Sequence, residues 1–437
     1  MYTLRVTAAP SYRGPFRELQ AERLLWRAGF GPRQGDAAKL SKLGLKAAVR
    51  SLTRPGPDQL LGPDPKNDRG FPLSPNAASG EDHLWWLDRM VRSTTPLAER
   101  MTLVWHDWFA TSNIGVGSQQ LMLAQNGVFR QHGLGSFAEM LTAVTQDPAM
   151  LIWLNGNQNV KGRPNENYAR ELMELFTLGA NRGAYTESDV REQARALTGW
   201  RGALQQGLST GFAYNASFHD AGTKSIFGKT GNFEWTDALR LCLSHPLHPS
   251  FFVTKLWSYF VPTRIDGATL AALSELYAER QIRPVLEAIL QHPDFHTGPR
   301  MIKPPIVYNA GLLRMRGRWV DSSAWWTLGA QAGQRLFYPP DVGGWDDSRW
   351  LDTSTFRSRW FMAALVQGAG QPHDSPSDSV KLVDRALRYW GYPTVSATTT
   401  SLLAAFAKAQ LRRKQDPPIV ETALRRLVAT SPDLQTA

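Results

Sequence analysis

Cysteine is nearly missing: Cys242 is the only one in 437 residues. No intramolecular disulfide can form, and no zinc or iron–sulfur site can be built from cysteines. Long hydrophobic runs are missing too. The longest apolar stretches fall short of the roughly 18 residues that cross a bilayer, and "SFFVTKLWSYFV" is interrupted by Lys255. The opening "MYTLRVTAAPSYRGPFRELQ" lacks the apolar segment of a signal peptide. These absences favour a cytoplasmic chain, with the cell envelope as the alternative compartment. The sequence also has no P-loop, no dinucleotide-binding glycine fingerprint, no nucleophile elbow and no Cys-x-x-Cys-His. Nucleotide, nicotinamide and c-type haem chemistry therefore lose support. No His-Glu-x-x-His or EF-hand loop announces a metal either.

Charge of one sign is in excess but not concentrated. The net charge is +11, which permits an anionic partner. The densest basic clusters are "LLRMRGRW" at 312–319 and "QLRRKQ" at 410–415. Neither makes the patch or stripe expected of a nucleic-acid interface, so nucleic acid is not the favoured partner. With 42% hydrophobic and 20% charged residues the composition is globular. Sixteen Trp predict a core rich in aromatic packing.

What is present is helical periodicity. "FRELQAERLLWRAGFGP" (16–32) spaces Phe16, Leu19, Leu24 and Trp26 for an amphipathic helix, which Gly29, Gly31 and Pro32 stop. Further helices are expected near 81–93, 96–110, 118–132, 136–147, 164–178 and 186–198. More follow near 235–244, 250–260, 267–280, 283–291 and 303–315, with two or three in the tail. Residues 54–80 and 330–352 are too rich in Pro and Gly to be regular. Alternation in "FAYNASFHDAGTKSIFG" suggests a small hairpin around "HDAGTK". The expected fold is mainly α, a single large multi-helix domain with long irregular loops and one small β-hairpin. A short echo also appears. "LSHPLHPSFFVTKLW" and "LQHPDFHTGPRMIKPP" share Leu-x-His-Pro and a later lysine, Lys255 or Lys303.

The stretch "PNENYARELMELFTLG" (164–179) places Tyr168, Leu172, Leu175 and Phe176 on one helical face. Glu166, Arg170 and Glu174 follow at i+4 steps on the other, where each pair is worth about 0.2–0.5 kcal/mol. Glu171 falls at the border, where burial raises a carboxyl pKa unless a cation or donor is close. In "YTESDVREQARALTGW", Thr186 is a natural N-cap and Asp189 completes a capping box.

These blocks, with "LLWRAGFGP", "MTLVWHDWFATS", "QDPAMLIWLNGNQN", "FHDAGTKSIFG", "KPPIVYNAGLLR" and "PPDVGGWDDSRW", resemble a bacterial family known as domain of unknown function eighteen hundred. The resemblance runs over nearly the whole chain. It implies one helical domain over 1–437, with 16–378 as the family-like core and 379–437 as C-terminal helices packing on it. It carries no activity to transfer. Its members are often encoded beside a phosphatase- or sulfatase-like exported protein, which the resemblance implies as a partner.

Two function classes follow. In the first, the chain is an enzyme of hydrolase or lyase type acting on a polar or acidic polymer. Glu171 is the general acid or base, and His219 and Asp220 complete the catalytic set from a loop. Asn165, Asn167, Arg170 and Trp345 contact the substrate. A divalent metal on His106, His219 and Asp220 is the candidate cofactor, since imidazole and carboxylate suit zinc, manganese or iron. In the second, the chain is a non-catalytic binding or assembly protein that docks its partner through exposed aromatics such as Trp345 and Trp350.

Overall fold

The computed structural model describes residues 9–205, 208–370 and 372–437. These form 23 α-helices with a few single turns of other helix types. The mainly α-helical class is as expected from periodicity. The β structure is two antiparallel pairs: β1 (Trp200–Gln205) with β2 (Leu208–Tyr214), and β3 (Lys224–Ile226) with β4 (Lys229–Gly231). Trp200 opposes Tyr214 in the first pair and Lys224 opposes Gly231 in the second. The "HDAGTK" stretch is thus not the turn of a hairpin. It leads from one pair to the next and enters β3 at Lys224.

The chain divides into two compact units. One is built mainly of Met101–His292 and Phe337–Trp345, the other of Tyr12–Arg100, Pro293–Leu336 and Asp346–Ala437. The first has an aromatic core, as sixteen tryptophans predict. Trp105 and Trp108 lie 5.3 Å apart between ring centres, Phe137 and Phe252 4.9 Å, and Phe252 stacks on Tyr277 at 3.9 Å. Such pairs add about 0.5–1.5 kcal/mol each beyond the area they bury. Local signals start its helices. Ser118, Ser136 and Asp147 each accept a hydrogen bond from a first-turn N–H. Thr186 and Asp189 form the expected capping box ahead of the helix Glu187–Ala196.

The second unit is threaded by the helix Pro305–Arg316, which is buried from Pro305 to Met315. Arg314 is buried near its end and donates to the carbonyls of Gly31 (3.0 Å) and Val91 (3.1 Å). Buried charge is tolerated there because each donor finds an oxygen.

Residues 164–178 depart from the single α-helix expected. The α-helix is Asn167–Glu171, and Leu172–Thr177 continues as a π-helix. Tyr168 and Ala169, Leu172 and Met173, and Phe176 and Thr177 are all buried along this stretch. Met173 enters the core, while Leu175, expected there, stays half-exposed.

Candidate functional site

The residues singled out by sequence separate into different environments. Glu171 is half-buried, and among the described residues its carboxylate has no hydrogen-bond or ion-pair partner. Burial, and then the charge of Glu174, hold its pKa above the usual carboxylate range against the pull of Arg170. Arg170 does not pair with Glu174. It binds Glu187 (2.7 Å) and Glu166 (3.2 Å), while Glu174 accepts from the Tyr185 hydroxyl at 3.3 Å. Asn165 accepts from the Asn167 N–H (3.0 Å) and its own N–H donates to Asn159 (2.9 Å). Asn165 and Asn167 thus shape the turn into the helix.

Asp220 is already satisfied. Arg195 grips it at 2.8 and 3.3 Å, and the Gly222 N–H adds a bond of 2.9 Å. The Arg195 pair pulls its pKa down to about 2. His219 is buried with Nδ1 3.0 Å from the Thr198 carbonyl. Arg170 holds the first residue of the helix Glu187–Ala196 and Arg195 lies eight residues on, roughly 12 Å along the axis. Glu171 and Asp220 are thereby anchored toward opposite ends of that helix. His106 is sealed among Phe129, Phe337 and Trp345 at 5.4–6.0 Å, and burial drops its pKa to about 3. Among the described residues no group of three or more His, Cys, Asp or Glu side chains could hold a metal ion. The set of His106, His219 and Asp220 is thus not assembled. Trp345 is 8% exposed and packs on the His106 ring. That position suits a core residue and not a docking aromatic.

A different cluster does converge, within the first unit. The helix His248–Ser258 carries Lys255, and Tyr259 follows four residues later on the same face. The Lys255 amine lies 4.7 Å from the centre of the Trp108 ring and 5.9 Å from that of Phe251. It donates to the Leu175 carbonyl at 2.9 Å. The π-helix makes that acceptor available. In an α-helix the Gly179 N–H would bond to Leu175, but here it bonds to Met173 at 3.2 Å and the Leu178 N–H does the same at 2.8 Å. Gly179 makes this ending possible. Its φ is +88°, and a Cβ there would lie 2.8 Å from the Phe251 ring.

Asp107 completes the cluster. It accepts from the Tyr259 hydroxyl (2.7 Å) and from the Trp345 N–H (2.8 Å). The second bond needs the close turn at Gly344, where a Cβ would stand 2.3 Å from an Asp107 oxygen. Burial pushes the Lys255 pKa down to about 8, with the Asp107 charge opposing the fall. Lys255, Tyr259 and Asp107 are each part-buried as residues, with the amine end of Lys255 drawn well inside. The arrangement supplies a base or nucleophile that is substantially neutral near pH 8, beside a phenol already shared with a carboxylate.

Sequence reasoning passed over these residues. Lys255 registered as a break in an apolar run and as the later lysine of an echo, and Asp107 was not singled out. The usable signal was that break. A lysine amid "FFVTKLWSYF" must either leave the core or find an oxygen inside it.

A family model described as a protein of unknown function, DUF1800, matches residues 23–436. Neither the curated proteins nor the solved structures contain a match to this chain. Among the described residues no helix is long and apolar enough to cross a membrane.

Proposed function

The chain belongs to the DUF1800 family, and we propose that it is an enzyme acting on a polar, acidic substrate by proton transfer at Lys255. The observation that carries this reading is the amine set between Trp108 and the Leu175 carbonyl, next to Asp107 and Tyr259. Lys255 has a carbonyl and an aromatic wall, and among the described residues no carboxylate bonds its amine directly. As a general base it would take a proton from a carbon or hydroxyl of the substrate, and Tyr259 would return one to the leaving oxygen. Elimination or hydrolysis on an acidic polymer fits both that pair of roles and the net charge of +11.

The role expected of Glu171 changes with this reading. Its carboxylate, raised in pKa and without a partner among the described residues, lies outside the lysine cluster and serves as a contact for substrate hydroxyls. The test is turnover of acidic polysaccharides, followed by release of reducing or unsaturated ends, with wild type and Lys255→Met compared. Turnover by wild type, and its loss in a folded Lys255→Met chain, is expected. A Lys255→Met chain that turns over as fast as wild type would sink the proposal.

A further inference from the structure

The basic cluster at 312–319 has a use that the lysine site does not touch. Of its three arginines, Arg314 is spent on backbone carbonyls inside the core. Arg318 donates to the carbonyls of Leu365 (3.0 Å) and Val366 (2.6 Å). Arg316 also donates to a carbonyl, that of Tyr389, but it faces a different space. It lines an open cavity of about 490 Å³ in the second unit together with Arg385, Arg388, Arg425, Tyr389 and Glu421. We infer that this cavity is a binding site for a phosphate ester.

Charge carries the argument first. Four guanidinium groups line the cavity and two carboxylates answer them. Glu421 is fully buried, and its oxygens are taken by Arg425 (2.5 Å), Arg385 (2.9 Å) and the Ser375 hydroxyl (2.8 Å). Asp384 pairs with Arg388 at 2.9 Å. Arg316 has no carboxylate partner among the described residues. Two positive charges are left over, which matches a phosphate monoester carrying about −1.5 to −2 near neutral pH.

Geometry adds to it. The Arg316 guanidinium sits 3.6 Å from the centre of the Tyr389 ring and that of Arg425 sits 4.2 Å from it. The stacked ring fixes both planes, so little rotamer freedom remains to be lost when an oxyanion arrives. The Nε donors of Arg316 and Arg425 are buried with no hydrogen-bond partner. An aromatic wall leaves such crowded cations repelling one another, whereas an oxyanion accepts from the open donors and screens that repulsion. The volume exceeds what inorganic phosphate fills, so the ligand is an ester with an organic portion.

Calorimetric titration at low ionic strength tests this with inorganic phosphate, pyrophosphate and citrate as probes. Saturable binding of phosphate or pyrophosphate at one site per chain is expected. Arg316→Gln should weaken it at least tenfold, and Lys255→Met should leave it unchanged, which separates this site from the proposed catalytic one. If Arg316→Gln lowers the melting temperature of the free chain, the exposed Arg388→Gln serves as the second variant with the same expected direction. Absence of saturable binding, affinity unchanged from wild type in both arginine variants, or binding of citrate alone would overturn the inference.

Discussion

Two lysines in two units received the same surroundings and different exposure. Lys255 rests over Trp108 and donates to the Leu175 carbonyl at 2.9 Å. Lys303 rests over Trp26 at 3.6 Å and donates to the Leu434 carbonyl at 2.7 Å. Each follows the Leu-x-His-Pro echo, and burial lowers the pKa of each. The echo is not a repeated piece of structure. Lys255 lies inside a helix, whereas Lys303 lies in the extended segment ahead of one. What recurs is a physical solution. An aromatic face and a freed carbonyl together make a buried amine tolerable. Exposure is where they differ. Lys303 is 3% exposed, with its own carbonyl held by Arg359 at 2.8 Å. Lys255 is part-buried as a residue, beside Asp107 and Tyr259. The same device builds a fastener in one unit and the proposed base in the other.

The largest expected effect breaks the fastener. Lys303→Ala removes the cation that balances Glu22 and Asp433 and leaves the Leu434 carbonyl buried without its donor. Losing one member of a buried charged set costs roughly 3–5 kcal/mol. Lys255→Ala should cost only about 1 kcal/mol, since a half-exposed carbonyl can turn to water. Denaturant melts of the two variants check this, and equal losses would erase the distinction.

The next effect is reactivity. At pH 8 about half of the Lys255 amine is neutral, against less than 1% for an ordinary surface lysine, so roughly a hundredfold preference is expected. A limiting dose of an acylating reagent, followed by peptide mass mapping, should mark Lys255 first and leave Lys303 unmarked in the folded chain. Random labelling of surface lysines would contradict the lowered pKa and the access together.

How much of this was legible follows the range of each interaction. The Thr186–Asp189 capping box was readable because its partners are three residues apart. The helices were readable because apolar spacing is local. Of the two local partners read for Arg170, Glu166 is present and Glu174 is replaced by Glu187, which comes from the next helix. The π-helix was invisible to a wheel drawn at 3.6 residues per turn, and with it the Leu175 carbonyl that Lys255 uses. Asp220 looked catalytic in isolation and is committed to Arg195, 25 residues earlier. Sequence placed the elements, but the lysine site depends on contacts among segments up to 238 residues apart, as Trp345 and Asp107 are.

A smaller effect lies in the pH dependence of stability. Folding lowers the Lys255 pKa from 10.5 to about 8, so between these values the unfolded chain holds a proton that the folded chain has released. Raising the pH through that window therefore favours the folded state. Below pH 8 both states are protonated and the burial penalty is constant. Lys255→Met should flatten the rise between pH 8 and 10.5, measured as the difference in unfolding free energy from wild type. A difference that stays level across that range would show that the amine titrates normally.

The smallest effects are the most discriminating, because two neighbours should move the Lys255 pKa in opposite directions. The Asp107 charge opposes the lowering by burial. Asp107→Asn keeps a side-chain oxygen for the Trp345 N–H but removes that charge, so the amine should titrate lower by about half a unit to one unit. Tyr259→Phe leaves the charge and removes the hydroxyl that shares it at 2.7 Å. The carboxylate then acts on the amine with less of its charge engaged, and the amine should titrate higher by roughly a few tenths of a unit. Acylation rate against pH reads both midpoints directly and needs no substrate. Shifts of the same sign in the two variants would mean that they act by disturbing the packing around Trp108, and the electrostatic account of the cluster would have to be abandoned.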